Sequence, residues 1–365
     1  MPDPISTGAT AHDGPGDSRS EHVRRGTRSV WLVPTLVVVG TGLFALSYLG
    51  ALARPTPDGI PLALVAQAPA RAQVTAALQR TVPGMVVLRQ YPNLGRAHTA
   101  LLARQIDGVL VSGPSADTLY VVEAAGPPIA SALDQIASAL AAQRRMPLAV
   151  HDVVPLPSGD SSGLGLFYLV LACVLGGYVG TIMILAHTGP LPAGWRTMQL
   201  AGTALLAGMA VTVIARFWLR SDPLPMPAAA MVAALAAFAV STCTWTLLMW
   251  LGRVAVPVAI GLFVILGSPS SGGAIPRSLL PGFYSVIGSW LPNGAAVSAL
   301  RDLTFFPAAS TARSLLVLAG WALIGLAGAL ILSRRHRPQP ERAEAQSREA
   351  RRDPTPMASR SPNVT

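Results

Sequence analysis

Residues 29–52 read SVWLVPTLVVVGTGLFALSYLGAL, a stretch without a charged side chain. An α-helix needs about 20 predominantly apolar residues to cross the hydrocarbon core of a bilayer, and this stretch provides them. Residues 53–162 are too polar for a span, whereas residues 163–332 are again mostly apolar. This order predicts an α-helical polytopic membrane protein of about six transmembrane helices, with an extracytoplasmic α/β domain inserted after the first helix.

The amino-acid composition favours the same class of protein. Of the 365 residues, 51% are hydrophobic and only 12% are charged, whereas soluble domains carry roughly 25% charged residues. The net charge is +10, and every basic residue counted is an arginine because the chain contains no lysine. A strongly basic chain is typical of nucleic-acid binding, but these arginines concentrate beside apolar segments, where they set membrane topology. We therefore expect the lipid bilayer, and no nucleic acid, as a partner.

The two cysteines argue against two common kinds of site. Cys173 and Cys243 both lie inside apolar segments, where a thiol behaves as a small buried hydrophobic group. A disulfide framework or a zinc site needs more cysteines, in polar surroundings and at short spacing. The α/β segment offers His98, His151 and Asp152 as candidates for chemistry, but they form no cluster of metal ligands. We expect no metal, no cofactor and no catalytic residue.

Six apolar segments are predicted to cross the membrane. The fifth is short and contains Pro257 near its start. In the second, Gly176 and Gly180 have the GxxxG spacing that lets two helices approach closely. The first segment has an alternative interpretation as a cleaved signal peptide, but its apolar run exceeds the usual length of roughly 7–15 residues. The predicted spans are residues 30–49, 164–186, 198–218, 226–251, 254–266 and 315–332.

Arginines predict the orientation of these spans. With six spans, four arginine groups fall on one side, and the positive-inside rule makes that side cytoplasmic. Both termini are then cytoplasmic, the protein lies in the plasma membrane, and residues 53–162 lie outside. Residues 1–28 and 333–365 are rich in polar and charged residues, which predicts disordered tails. The four groups are Arg24, Arg25 and Arg28; Arg196; Arg253; and Arg334, Arg335 and Arg337.

Residues 53–162 alternate between strand and helix patterns, which predicts a compact α/β layer. Short apolar runs predict the strands, and apolar residues at helical spacing predict the helices. The predicted strands are residues 60–66, 85–88, 108–111, 118–122 and 148–154, and the predicted helices are residues 69–80, 94–106 and 128–144.

Residues 159–163 read GDSSG and match the G-x-S-x-G elbow of serine hydrolases. That elbow requires a strand before the serine and a helix after it within a soluble sheet, but here a predicted transmembrane helix follows directly. We interpret the segment as a junction at the lipid surface. Ser161 as a nucleophile with His151 as its base is the alternative.

The chain lacks two common means of driving transport by itself. A Walker A loop needs a lysine at the nucleotide phosphates, and the chain has none. No Asp, Glu or Lys lies in the middle of a predicted span, whereas ion-driven transporters keep ionisable groups there. Any transport would therefore draw its energy from a separate subunit.

A segment broken by prolines follows the short fifth span. Residues 268–276 read SPSSGGAIP and precede two short segments, residues 277–291 and 293–306. Both are too short to span, and their aromatic residues favour the membrane interface. We predict an outer helical hairpin over residues 268–312, with Asn293 capping its second helix; an ordinary loop is the alternative. The candidate functional residues are Pro269, Ser270, Ser271, Gly272, Gly273 and Pro276.

Three stretches carry a resemblance to one family. They are SPSSGGAIPRSLLPGFYSVIGSWLPNGAAVSALRDLTFF at residues 268–306, HDVVPLPSGDSSGLGLFYLVLACVLGGYVG at residues 151–180, and IDGVLVSGPSADTLYVVEAAGPP at residues 106–128. Together they resemble the YhgE/Pip-like (phage infection protein) membrane family, which is related to the type-2 ABC exporter permeases. The resemblance implies one helix, an outer domain, five further helices with an outer hairpin before the last, and a role in export or secretion. One departure is that ABC permeases usually offer a coupling helix to their ATPase, whereas residues 187–196 (HTGPLPAGWR) form a short connection rich in Pro and Gly.

These observations lead to one expected function and its alternatives. We expect an ABC-2-type exporter permease subunit that moves an undefined amphipathic or envelope-related substrate outward. An ATPase subunit in trans would supply the energy, and the protein would form a homo- or hetero-oligomer. The alternative is a non-transport membrane receptor, scaffold or secretion accessory protein that acts through its outer domain. A hydrolase that uses Ser161 is the third possibility.

Overall fold

The computed structural model describes residues 17–53, 57–189, 191–218, 220 and 224–335, and for residues 17–33 it describes the backbone alone. The first helix, α1, covers Asp17–Leu52. It therefore begins inside the segment that was predicted to be a disordered tail. Residues 1–16 and 336–365 of the two predicted tails lie outside the described residues.

An α/β domain follows α1, as the sequence predicts. Its strands are β1 Ile60–Ala66, β2 Val86–Gln90, β3 Gly108–Ser112, β4 Asp117–Val121 and β5 Leu148–Asp152, and its helices are α2 Ala68–Thr81, α3 Leu94–Leu102 and α4 Pro127–Arg144. The sheet has the order β2-β1-β3-β4-β5, with an antiparallel pair at β3 and β4 and parallel pairs elsewhere. Successive strand residues point to opposite faces. Leu62 and Leu64 of β1 therefore pack under α2 and α4, while Ala63 packs under α3 on the other face.

A helical bundle follows the domain. Its elements are α5 Gly165–His187, α6 Ala193–Trp218, α7 Met226–Leu251, α8 Ala255–Ala259 with a π-helical continuation Ile260–Leu266, α9 Gly282–Gly288, α10 Pro292–Phe305 and α11 Ala312–Arg335. Among the described residues, five helical stretches are long and apolar enough to cross a membrane, by length and composition. They are Pro34–Leu52, Gly165–His187, Ala193–Trp218, Met226–Leu266 and Ala312–Arg335. The chain is thus a multi-span helical protein, with one candidate stretch where the sequence predicted two spans.

The fourth of these stretches is not one straight rod. Cys243 of α7 donates a hydrogen bond through Sγ to the Trp321 carbonyl at 3.3 Å. Phe263 packs edge-on against the Trp321 ring, with centroids 6.1 Å apart. A continuous α-helix would separate residues 243 and 263 by about 30 Å, so both can contact Trp321 only if the chain turns back between them. The turn lies at Gly252, whose φ of 58° ends α7.

The returning segment, α8 with its π-helical continuation, therefore runs antiparallel to α7. It is shorter than the roughly 20 residues that a span requires. The predicted fifth span is accordingly a short return segment that does not reach the length of an independent transmembrane helix.

The bundle has two distinct ends. Leu200 near the start of α6 packs with Trp245 and Ala329 near the ends of α7 and α11. Helix α6 therefore runs opposite to α7 and α11. Phe306, directly after α10, packs into the α/β domain, and α5 begins a short distance after β5. We call the end of the bundle that meets the α/β domain the domain-proximal end, and the other the domain-distal end.

Helix α7 lies at the centre of the bundle and contacts α5, α6, α10 and α11. Three glycines allow this packing, because a Cβ atom at each would lie against the α7 backbone or a side chain that it carries. A Cβ at Gly177 of α5 would lie 2.5 Å from the Ala237 carbonyl oxygen, and Cβ atoms at Gly208 of α6 and Gly325 of α11 would be as crowded. In a bilayer, helices associate through such close contacts because lipid chains are as apolar as the helix surfaces.

The glycines predicted from the GxxxG spacing are not the ones in contact. A Cβ at Gly176 or Gly180 would meet no atom within 4 Å. The contact is made instead by Gly177, whose carbonyl also accepts a hydrogen bond from Ser241 Oγ of α7 at 3.1 Å. The prediction of a close helix contact on α5 was correct, but the face of the helix was wrong.

Two adjacent substitutions should have opposite effects on stability. Gly177→Ala places a methyl group against the Ala237 carbonyl and should lower the free energy of unfolding by about 1–3 kcal/mol. Gly176→Ala places the same methyl group in open space, so it should gain up to about 1 kcal/mol from helix propensity. Thermal denaturation of both variants in the same detergent compares them directly. Equal effects would contradict the packing described for α7.

Candidate functional site

The loop that joins the returning segment to α9 is buried throughout its candidate residues. All six predicted residues, Pro269, Ser270, Ser271, Gly272, Gly273 and Pro276, are buried. The loop opens with a 3-10 turn over Pro269–Ser271, and Gly272 then adopts a left-handed φ of 76°. We call residues 268–276 the hairpin loop.

The serine hydroxyls of the hairpin loop hold its own backbone. Ser270 Oγ donates to the Leu266 carbonyl at 2.6 Å, and Ser271 Oγ donates to the Ser268 carbonyl at 2.7 Å. Ser271 Oγ also accepts the Gly273 N–H at 3.2 Å. These local bonds satisfy hydroxyls that would be costly to bury without a partner. The serines therefore shape the loop.

Asn293 ties α10 to this loop. Its Nδ2 donates to the Phe263 carbonyl at 2.9 Å and to Ser268 Oγ at 3.3 Å. Asn293 was predicted to cap α10, but the helix begins at Pro292 with Leu291 at the N-cap position. The prediction was wrong because the side chain finds partners in the returning segment and the loop.

The two helices of the predicted hairpin occupy different environments. Helix α10 is buried along most of its length and contacts α5, α7 and α11. Helix α9 and the residues after it are peripheral, with Phe283, Val286 and Trp290 exposed. A hairpin resting on the surface was therefore the wrong expectation for α10, which fills the domain-proximal centre of the bundle. Trp321 Nε1 donates to the Trp290 carbonyl at 2.7 Å and fixes the point where α9 meets α11.

A polar cavity of about 260 Å³ lies where the hairpin loop and α10 meet the α/β domain. Ser271 and Gly272 form part of its wall. Its ionisable lining residues come from three separate parts of the chain. They are Arg104 and Asp107 of the α/β domain, Arg277 after the hairpin loop, and Arg301 of α10. We call this space the arginine cavity.

The three arginines of this cavity have different partners. Arg104 forms an ion pair with Asp302 of α10. Arg277 donates to the Gly294 carbonyl at 2.9 Å. Arg301, only 5% exposed, donates to the carbonyls of Gly272 and Gly273 at 3.1 and 3.4 Å. Neither Arg277, which is half-buried, nor Arg301 forms an ion pair with any described carboxylate, so both guanidinium groups bond directly to carbonyl oxygens.

Two pKa shifts reflect the burial of this cluster. Burial raises the pKa of Asp107 to about 6, although the Arg104 charge and a hydrogen bond with Ser278 act in the opposite direction. Burial lowers the pKa of Arg277 to about 10, and the charges of Arg104 and Arg313 lower it further, while Asp302 opposes them. Arg277 therefore stays positively charged at neutral pH. Asp107 changes from charged to neutral in the mildly acidic range.

A second cavity lies beside the returning segment that precedes the hairpin loop. This apolar groove, of about 560 Å³, runs between α1 and the returning segment. Leu36 and Phe44 line it from α1, and Pro257 and Ile265 line it from the returning segment. Helix α1 is anchored at its domain-proximal end, where Ser47 Oγ donates to the Ile265 carbonyl at 2.6 Å. The hairpin loop begins directly after the returning segment, so one continuous stretch of chain lines the apolar groove at Ile265 and the arginine cavity at Ser271 and Gly272.

The GDSSG segment is a helix junction. The buried Asp160 carboxylate accepts the backbone N–H groups of Leu164 and Gly165 at 3.0 and 2.9 Å, which caps the start of α5. Ser161 is exposed in the turns between β5 and α5, and His151 stacks on Tyr120 with centroids 5.6 Å apart. No strand leads directly into Ser161, so the elbow geometry is not formed. This geometry supports the junction interpretation.

The residues of the arginine cavity were not among the functional residues predicted from the sequence. Arg104 and Asp107 lie in one segment, but Arg277 and Arg301 lie in two others, and no spacing rule brings the three segments together. One signal was present in the sequence, because Arg301 and Asp302 interrupt an otherwise apolar helical pattern. Among the described residues, no group of three or more His, Cys, Asp or Glu side chains could hold a metal ion.

Comparison with known proteins adds no assignment. The chain matches no family model, no curated protein and no solved structure.

Substitution of one hairpin glycine should disrupt the loop. A Cβ at Gly288 would overlap the Ser270 carbonyl, whereas a Cβ at Gly282, on the same short helix, meets no atom within 4 Å. Gly288→Ala should therefore destabilise the protein by about 1–3 kcal/mol, and Gly282→Ala should leave its stability within about 0.5 kcal/mol. Tryptophan fluorescence during thermal unfolding measures the stability of both variants. If Gly288→Ala left the stability unchanged, the loop would not contact α9 as described.

The raised pKa of Asp107 predicts a pH-dependent effect on stability. The protonated form is favoured in the folded state, since the pKa rises from the ordinary 3.8 to about 6. The free energy of unfolding should thus fall as the pH rises from about 4 to about 6. Asp107→Asn removes this titration. Its stability relative to wild type should therefore increase between pH 4 and pH 7.5 by on the order of 2–3 kcal/mol. Denaturation curves at the two pH values test this, and a difference that is constant with pH would count against a buried Asp107.

Proposed function

We propose that this protein is an export permease subunit that moves an amphipathic, envelope-related molecule outward across the plasma membrane. The observation that carries the proposal is that one stretch of chain lines an apolar groove at Pro257 to Ile265 and a cation-lined cavity at Ser271 and Gly272. An amphipathic molecule has one part that suits each of these environments. The resemblance of the loop region to the YhgE/Pip-like family, related to ABC-2 exporters, supports the same class of function.

The apolar groove suits the hydrocarbon part of such a molecule. It lies beside α1, whose exposed side chains include Leu36, Val38 and Leu46. Because α1 is anchored mainly near Ser47, the groove is open along the remaining length of the helix. An acyl chain in the surrounding bilayer would therefore reach it without crossing a polar surface.

The orientation belongs to the proposal as well. Arg196 at the start of α6, Arg253 after α7 and Arg334 at the end of α11 all lie towards the domain-distal end. Arg196 lies over the Trp245 ring at 5.9 Å, within the cluster that marks this end. The positive-inside rule makes that end cytoplasmic. The α/β domain and the arginine cavity would then face the outside, with both termini in the cytoplasm.

A separate subunit would supply the energy. The chain contains no lysine, and a Walker A loop cannot form without one. The connection between α5, which ends at His187, and α6, which begins at Ala193, is short. An ATPase in trans would therefore contact the start of α6 itself, where Trp195 is exposed.

Export can be tested without knowing the substrate. A strain that lacks this protein would be complemented with wild type, with Gly288→Ala or with the matched control Gly282→Ala. Comparative lipid and metabolite profiling of cell interior and envelope is the measurement. We expect at least one amphipathic compound to accumulate inside the deletion strain and the Gly288→Ala strain, and to return to normal with wild type and Gly282→Ala.

If the amounts of amphipathic compounds inside the deletion strain were unchanged, the export proposal would be contradicted. That result would favour the alternative, a receptor, scaffold or secretion accessory protein that acts through the α/β domain. Expression of both variants at wild-type level in the membrane fraction is the necessary control, because a degraded Gly288→Ala protein would mimic a deletion.

A further inference from the structure

We propose that the arginine cavity is a binding site for a phosphate oxyanion, carried as the headgroup of an amphipathic lipid whose chains occupy the apolar groove. The inference deepens the proposed function, on which it rests for the role of the lipid as the transported molecule. The binding itself can be measured without transport.

The charged side chains that line the cavity favour the binding of an anion. Arg104 forms an ion pair with Asp302, whereas Arg277 and Arg301 donate hydrogen bonds to carbonyls and form no ion pair with a described carboxylate, although Asp302 attracts both from farther away. Asp107 is the single carboxylate among the described residues that line the cavity. Burying a charge without a counter-ion is costly, so an anion that enters this space would compensate charges that the protein itself leaves unpaired.

The donor chemistry matches a phosphate group. Each guanidinium has five N–H donors in a planar fork that fits phosphate and carboxylate oxygens in pairs. Arg301 directs two of its donors to Gly272 and Gly273, and Arg277 directs one to Gly294. These hydrogen bonds fix the orientation of both guanidinium planes. The remaining donors belong to side chains that line the cavity.

The size and position of the cavity select a headgroup of moderate size. A volume of about 260 Å³ corresponds to several water molecules at roughly 30 Å³ each, enough for a phosphate diester. Ser271 and Gly272 line the cavity. Ile265 precedes Ser271 by six residues and lines the apolar groove. Six residues of extended chain span at most about 20 Å, so the phosphate of one lipid molecule in the cavity and its chains in the groove would lie within this distance of each other.

Asp107 makes the site sensitive to pH. Arg104, Arg277 and Arg301 face the same space, with Asp302 and Asp160 acting on Arg301 from farther away. When Asp107 is charged it is attracted to Arg104 and competes with the ligand for this guanidinium group. Burial raises the pKa of Asp107 to about 6, so protonation below that pH removes the competitor. Affinity for an anion should rise as the pH falls from 7.5 to 5.

The test uses full-length protein in a neutral detergent and three probes: short-chain phosphatidylglycerol, a diacylglycerol with the same chains, and inorganic sulfate. Phosphatidylglycerol and sulfate keep a constant charge between pH 5 and 7.5, so any pH effect reports on the protein. Equilibrium binding would be measured for wild type and for Arg277→Gln, Arg301→Gln, Asp107→Asn and Arg80→Gln. Arg80 is exposed on α2, and it serves as the matched control for loss of one positive charge.

We expect phosphatidylglycerol to bind at least tenfold more tightly than diacylglycerol. Arg277→Gln should weaken this binding about tenfold, and Arg80→Gln should leave it unchanged. Asp107→Asn should strengthen binding several-fold at pH 7.5 and remove the pH dependence. Arg277→Gln and Asp107→Asn keep the inference testable if the fully buried Arg301→Gln variant fails to fold.

Three results would overturn the inference or its parts. Equal binding of phosphatidylglycerol and diacylglycerol, unaffected by Arg277→Gln, would overturn the oxyanion site. Sulfate binding as tight as that of phosphatidylglycerol, with the same response to the variants, would overturn the lipid headgroup as the source of the anion. Loss of phosphatidylglycerol binding in Arg277→Gln, with normal lipid pools in cells that carry this variant, would refute the proposed export of this lipid while the binding site stands.

Discussion

The burial of α10 is the constraint on which the domain-proximal half of the molecule depends. This helix brings Asn293 and Arg301 to buried positions, where their donors need partners within the protein. Both side chains donate to backbone carbonyls of the segment that precedes them, from Phe263 to Gly273. The shape of the hairpin loop follows from this requirement, because its carbonyls must point at α10. An unsatisfied polar group in such a place costs more than the hydrogen bond itself is worth.

The α/β domain is attached through the same helix and loop. Leu279 packs into the core on the α2 and α4 side of the sheet, and Phe306 packs into the core on the α3 side. The Arg104–Asp302 ion pair crosses the same boundary. The hairpin thus contacts both apolar layers of the domain, and the arginine cavity is the space left between these contacts. A change in the position of α10 would therefore alter the cavity and the attachment of the domain together.

The packing around α7, from Ala230 to Cys243, depends on a different interaction. There α7 is approached by three helices, and a glycine on each removes the side chain that would keep the backbones apart. The hydrogen bonds from Ser241 to Gly177 and from Thr242 to Ala322 are added to this close packing. The tight contacts among α5, α6, α7 and α11 contrast with the loose attachment of α1. This difference leaves the apolar groove beside α1.

The sequence by itself determined the element order, the α/β domain and the long apolar helices, because hydrophobic periodicity and length are local properties that a single segment displays. It also identified the hairpin loop, since glycine, serine and proline cluster there. The turn at Gly252 also falls in the connection predicted between residues 251 and 254. Only the tertiary structure decided that Gly177 rather than Gly176 faces α7 and that α10 is buried. These outcomes depend on which partner each surface meets. The arginine cavity is the clearest case, because its four ionisable residues come from three distant segments and become neighbours only when α10 joins the bundle to the domain.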